Sequence, residues 1–306
     1  MMLREAFGLR RDPFMDTADP AFYFETMATA NGRRRLYECL AGGRGLAAVV
    51  GPVGAGKTSL CNAVTAQLLA DPGFLVALIL DPTFADESEL LQAIASSFGF
   101  DAHAGASPRL AREHLKRDLF EATTSMRTRQ GVLIIDEAQL LPEHLLETLR
   151  ALLNFQLDER KLLSIGLSGQ MELAGAIARR PNLSDRVALW LELRPLSEAE
   201  AAGLIDHRLR CAGYSAPQSP FESAAIHAVW RASGGLPRRI GSRARAAMEV
   251  AAERGSRTVT ARDVEDAEPR IAPDRALDPS PDTPAIAAQQ AGAKAKNWWT
   301  WWRRAS

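Results

Sequence analysis

From Gly45 onward, short and nearly uninterrupted apolar runs alternate with longer stretches in which apolar residues recur at helical spacing. The runs at 46–50, 74–80, 132–135, 162–167 and 187–191 have strand length. Their near-continuous apolar character predicts strands covered on both faces. Helical patterns fall between them, at about 57–70, 87–99, 107–129, 143–156 and 171–178. Strands alternating with helices predict an α/β fold: a parallel sheet with right-handed crossovers, flanked by helices.

Near Pro195 the pattern changes. Residues 197–212, 222–233 and 237–254 read as helices with no strand between them. Ser197 followed by Glu198 and Glu200 suits a helix start, because acidic side chains in the first turn offset its partial positive charge. Thr260 is placed to cap a last short helix ending at Ala267. Before Gly45, Pro13-Phe14 and Asp19-Pro20 interrupt regular structure, and a helix is expected from about Thr29 to Leu40. Four segments follow: an N-terminal segment (1–44) packed on the α/β core, the α/β domain (45–194), a small all-helical domain (195–270) and a tail (271–306). The tail is rich in Pro, Ala and Gln, which predicts disorder.

Composition narrows the function little. The length of 306 residues suits two domains, and 46% hydrophobic residues can build a sizeable core. With 37 basic and 37 acidic residues, the net charge is zero, so no global field steers the chain to nucleic acid or an anionic membrane. Three scattered cysteines, Cys39, Cys61 and Cys211, fit reduced thiols better than a disulfide framework. The N-terminus lacks the apolar core of a signal peptide, and no run approaches the ~18 apolar residues of a membrane span. The expected location is the cytoplasm.

Two motifs carry chemistry. Gly51-Pro-Val-Gly-Ala-Gly-Lys-Thr58 matches G-x-x-x-x-G-K-[ST], between an expected strand and an expected helix. Gly54 and Gly56 let the backbone curl so that its N–H groups face phosphates, and the helix N-terminus adds partial positive charge. Lys57 would contact the β- and γ-phosphates, and the Thr58 hydroxyl would bind Mg²⁺. The nucleotide-binding set is Gly51, Val53, Gly54, Ala55, Gly56, Lys57, Thr58 and Ser59. The second motif is Val132-Leu-Ile-Ile-Asp136-Glu137, which delivers two carboxylates to the C-terminal edge of a parallel sheet, where ligands bind. Asp136 is expected to hold Mg²⁺ and Glu137 to polarise the attacking water. Asp81, at the end of the 74–80 run, is the rival metal ligand. Together these predict a P-loop NTPase core.

The chain resembles AAA+ ATPases, and more closely the secretion-ATPase group typified by the ExeA/GspA component of general secretion. Phe7-Gly8-Leu9, Pro13-Phe14, Asp19-Pro20 and Phe22-Tyr23-Phe24 are similar to the opening signature of that group. Ser168-Gly169-Gln170 with Glu172-Leu173, Leu183-Ser-Asp-Arg186-Val187, Leu193-x-Pro195-Leu196-Ser197 and Gly235-Leu236-Pro237-Arg238 follow in the family order. The resemblance spans about residues 4–268. It implies ATP as the nucleotide and the helical domain as a lid. It also implies Gln170, with Ser168 as second choice, as a polar sensor at a strand end. Arg186, with Arg179 and Arg180 as neighbours, would be an arginine finger reaching the ATP of an adjacent subunit. Arg238, beside Arg239, would be the lid sensor. An ATP-dependent homo-oligomer follows, acting as motor or switch with an envelope-assembly protein partner. At Ala30-Asn31-Gly32-Arg33-Arg34-Arg35 the chain departs from the His-x-Glu-Ala stretch common in that family. The length fits relatives from pilus-biogenesis or exopolysaccharide loci.

The tail ends in Trp298-Trp299-Thr300-Trp301-Trp302-Arg303-Arg304, preceded by Lys294 and Lys296. Trp at a membrane–water interface and cations at anionic headgroups would give peripheral contact with the inner membrane. Two alternatives stand beside the hydrolysing motor. One is a DNA-associated regulator of the transposition or replication-loading type, disfavoured by the neutral charge and the lack of an appended DNA-binding domain. The other is a nucleotide-gated scaffold that does not turn over.

Overall fold

The computed structural model describes residues 3–15, 19–103, 105–125, 129–157 and 160–271. The chain opens with α1 (Leu3–Phe7) and α2 (Met27–Ala41). A reciprocal cap starts α2: the Thr26 hydroxyl accepts the Thr29 N–H, and the Thr29 hydroxyl accepts the Thr26 N–H. The α/β part then runs β1 (Leu46–Val50), α3 (Lys57–Leu69), β2 (Phe74–Ile79), α4 (Glu87–Ser97), α5 (Pro108–Ser125) and β3 (Gln130–Ile135). It continues with α6 (Glu143–Leu152), β4 (Gln156–Leu157), β5 (Arg160–Lys161), β6 (Leu163–Gly169), α7 (Met171–Ala178), α8 (Pro181–Ser184) and β7 (Val187–Glu192). Helices α9 (Glu198–Cys211), α10 (Ser223–Ser233), α11 (Pro237–Glu253) and α12 (Ala261–Ala267) follow.

Five strands form one parallel sheet in the order β2-β3-β6-β1-β7. Every residue of β1, β3 and β6 is buried, as their apolar runs require. Each fully buried Leu or Ile there contributes about 1.5–3 kcal/mol. One apolar layer, including Leu60 and Val64 of α3 and Leu36 and Leu40 of α2, covers one face. A second, with Leu91, Ile94, Leu115, Leu145 and Leu173 from α4 to α7, covers the other. The register sets Ile135 beside Leu167, and Val50 beside Gly169. The loop after β1, the acids after β3 and the end of β6 therefore emerge along one edge of the sheet.

Three expected elements of the α/β part need correction. Strand β7 is covered on one face only: Leu189 and Leu191 are buried, while Ala188, Trp190 and Glu192 face outward. It lies at the sheet edge, beside β1. The helix expected to reach residue 156 stops at Leu152, and β4 and β5 pair as a short antiparallel ladder instead. The helix expected to reach residue 129 is described to Ser125, and Arg129 already donates its N–H to the Gly73 carbonyl at the entrance to the sheet.

The helical unit has its own core, built on Leu204, Ile205, Val229, Ile240, Ala244 and Met248. Ser197 and Glu200 form a full capping box at the start of α9. Thr260 and Asp263 do the same for α12. The Trp230 indole N–H donates to the Leu196 carbonyl at 2.9 Å, tying α10 to the connection from β7. The N-terminal segment divides. Helix α2 packs on the sheet, whereas Ala6, Phe7, Leu9, Phe14 and Phe22 join the core of α9–α12 rather than the α/β core. Small residues of α9 and α11 admit rings of this segment: a Cβ added at Gly203 would lie 2.9 Å from the Phe24 ring, and one at Gly241 would lie 3.9 Å from that of Phe14.

Candidate active site

The loop between β1 and α3 turns through two left-handed glycines, Gly54 (φ +80°) and Gly56 (φ +95°), a conformation side chains with a Cβ disfavour. Gly56 precedes α3 without a side-chain cap, so the first N–H groups of α3 keep their donor capacity. Lys57 is 5% exposed and folds back over the loop, its ammonium donating to the carbonyls of Gly51 at 2.9 Å and Pro52 at 3.0 Å. Burial pushes its pKa below the usual lysine value. The negative charges of Glu137 and then Asp136 work against that shift, and Arg238 adds to it. A desolvated cation cradled by carbonyls, at a helix N-terminus, suits an anionic ligand with several oxygens.

The acidic pair lies beside it. Asp136 is 3% exposed, and its Oδ2 accepts the Thr58 hydroxyl at 2.6 Å across 78 residues of sequence. Its backbone N–H donates to Ile79, which fixes it at the β2–β3 edge. Asp81 is exposed and bonded to the Thr83 hydroxyl instead. The donor set for a hard cation is thus Thr58 and Asp136, a hydroxyl and a carboxylate, as Mg²⁺ prefers. Buried Asp136 has one oxygen on Thr58 and the other on the Glu137 N–H at 3.0 Å, so the pair fits a hydrated divalent ion. Among the described residues no cluster of three His, Cys, Asp or Glu forms a further metal site.

Glu137 stands at φ +50°, one of two non-glycine residues with positive φ among those described. Such backbone strain gathers at functional sites. Its Oε2 accepts the Gln139 side-chain N–H at 2.6 Å, and the Gln139 carbonyl oxygen accepts the Gln170 backbone N–H at 3.0 Å. Sequence reasoning missed Gln139. Its signal was its place two residues after Glu137, in a tight turn.

The other expected residues divide. Gln170 stands at the N-cap position of α7 without a side-chain cap bond, its backbone N–H on Gln139, at the edge the loop shares. Ser168 is fully buried, with its hydroxyl beside the Cys61 thiol. Arg238, in the first turn of α11, donates its backbone N–H to Gly54, and a Cβ added at Gly54 would meet the Arg238 Cβ at 3.0 Å. Arg186 is exposed at the opposite end of the sheet: its carbonyl accepts the N–H of Leu46, where β1 begins. Arg179 and Arg180 both pair with Glu143. The Trp cluster at 298–302 lies outside the described residues.

The strand order, the phosphate loop and the acid pair define a P-loop protein of the AAA+ class. An AAA domain family matches residues 40–177. General secretion pathway protein A of Aeromonas hydrophila is 31% identical over 98% of this chain, which is thus similar to it. The chain spans 54% of the length of that relative. Two solved structures share the fold: the ORC2 protein of Aeropyrum pernix (TM-score 0.62, 18% identity, 85% of this chain and 71% of that one) and Cdc6p of Pyrobaculum aerophilum (TM-score 0.64, 15% identity, 83% and 71%). No helix among the described residues is long and apolar enough to cross a membrane.

Proposed function

We propose that this chain binds ATP with Mg²⁺ and hydrolyses it to ADP and phosphate. The observation that carries the proposal is the contact between Thr58 and Asp136, which joins the phosphate loop to the acid pair beside buried Lys57. Lys57 would exchange its loop carbonyls for the β- and γ-phosphate oxygens. Thr58 and Asp136 would hold Mg²⁺, whose chemistry is to offset charge on those oxygens. Glu137 would orient a water in line with the γ-phosphorus. The water oxygen forms the new P–O bond, the bond to the bridging oxygen of ADP breaks, and the water proton leaves by way of Glu137. Arg238 would report the nucleotide to the helices of residues 195–270, acting as a lid on the 45–194 domain. Gln170 would sense the γ-phosphate.

Arg186 lies far along β7 from its own loop, which suits a finger offered to a neighbouring subunit. An ATP-dependent homo-oligomer is the corresponding assembly. Similarity to a general secretion pathway protein supports a motor or switch in secretion, pilus or exopolysaccharide assembly. The proposed place is the cytoplasm, against the inner membrane through Trp298, Trp299, Trp301 and Trp302. The fold favours a second reading, a DNA-associated regulator, because some proteins with it were solved with DNA, as in an Aeropyrum pernix ORC1 complex. ATPase rates with DNA and with anionic liposomes separate the two. Stimulation by liposomes alone supports the envelope role, and stimulation by DNA alone replaces it.

A further inference from the structure

We propose that Gln139 is a positioning residue for Glu137, coupling its carboxylate to the end of β6. This rests on Glu137 orienting the attacking water, as proposed above. The amide of Gln139 has one possible orientation. The Gln170 backbone N–H can only donate, so the Gln139 carbonyl oxygen must face it. The amide NH₂ must then face Glu137, where it donates at 2.6 Å to Oε2. One carboxylate oxygen is therefore pinned and the other is left to a ligand.

The direction of the pinning matters. Glu137 donates its backbone N–H to Asp136, whose other oxygen accepts the Thr58 hydroxyl, so the pinned turn begins at the phosphate loop. That turn is closely packed. Ala138, between the two residues, is 1% exposed. A Cβ added at Gly169 would lie 2.7 Å from the Gln139 carbonyl oxygen and 3.2 Å from its backbone N. Glycine at 169 is thus what lets Gln139 reach the strand end. A shift of Gln170 on sensing a phosphate would pass through this amide to Glu137.

The test compares wild type with Gln139→Met, Gln139→Glu and Gly169→Ala, measuring kcat, KM and the Kd of a non-hydrolysable ATP analogue. Gln139→Met fills the same space without either hydrogen bond. It should lower kcat by about 10–100-fold, the scale of a misplaced catalytic group, with the analogue Kd unchanged. Gly169→Ala should act in the same direction by displacing Gln139. Gln139→Glu keeps the size but replaces the NH₂ donor with a carboxylate that repels Glu137, so its kcat should fall at least as far as that of Gln139→Met, again with the analogue Kd unchanged. In a Glu137→Gln background, Gln139→Met should cost nothing further. Unchanged kcat in Gln139→Met, or a Kd that weakens in step with kcat, overturns the inference while leaving the function intact. Wild type without turnover overturns both.

Discussion

Arg238 rests on the phosphate loop: its backbone N–H donates to the Gly54 carbonyl at 3.3 Å, and its Cβ occupies the space a side chain at 54 would need. The first turn of α11 and the loop therefore fit together only because residue 54 is glycine in a left-handed conformation. This contact joins the helical unit to the candidate site.

Gly54→Ala tests that fit. The left-handed backbone alone costs an alanine roughly 1–2 kcal/mol, and the close approach to Arg238 adds to it. ATP affinity should fall about tenfold or more, as measured by titration with a fluorescent ATP analogue. Thermal stability without nucleotide should fall as well.

Asp136→Asn keeps the shape but removes the charge facing Thr58. The Mg²⁺ concentration for half-maximal hydrolysis should rise about 10–100-fold, as for other groups that hold a metal through water. Asp81→Asn should leave that value unchanged, since Asp81 is exposed and bonded to Thr83.

The thiols give a prediction about pH. Burial, and secondarily the Asp136 charge, pushes the Cys61 thiol up to about 12. Burial also raises Cys39. A raised pKa leaves less thiolate at every pH below it, and the thiolate is the reactive form. At pH 8 the folded protein should react with a thiol reagent at half-buried Cys211 alone, and at three cysteines once unfolded. Rapid labelling of Cys61 in the folded protein would contradict the packing around α3.

Arg186 and Glu137 should complement each other across subunits. Arg186→Ala and Glu137→Gln should each be inactive alone. Mixing them should restore part of the activity, because some interfaces would then pair a native Arg186 with a native Glu137. Activity that stays absent in the mixture would place Arg186 outside the site.

Much of this architecture was legible in residues with local signals. The runs that became β1, β3 and β6 are apolar because both faces are covered, and Gly51–Thr58 and Asp136-Glu137 stand where strands end. Ser197 and Thr260 marked their helix starts through side chains that bond three residues on. What escaped depends on distant partners. The outward face of β7, with Trp190, reflects its place at the sheet edge, and no pattern within 187–191 encodes strand order. The packing of Phe7, Phe14 and Phe22 with α9–α12 spans nearly the whole chain. Gln139 looked like an ordinary turn residue because its second partner, Gln170, lies 31 residues away.

The most direct test is phosphate release from ATP by wild type and Glu137→Gln, with nucleotide binding measured in parallel over a range of protein concentrations. The account predicts that wild type hydrolyses ATP with a specific activity that rises with concentration, while Glu137→Gln binds ATP with little or no turnover. Equal silence of both proteins, or equal turnover, would contradict it.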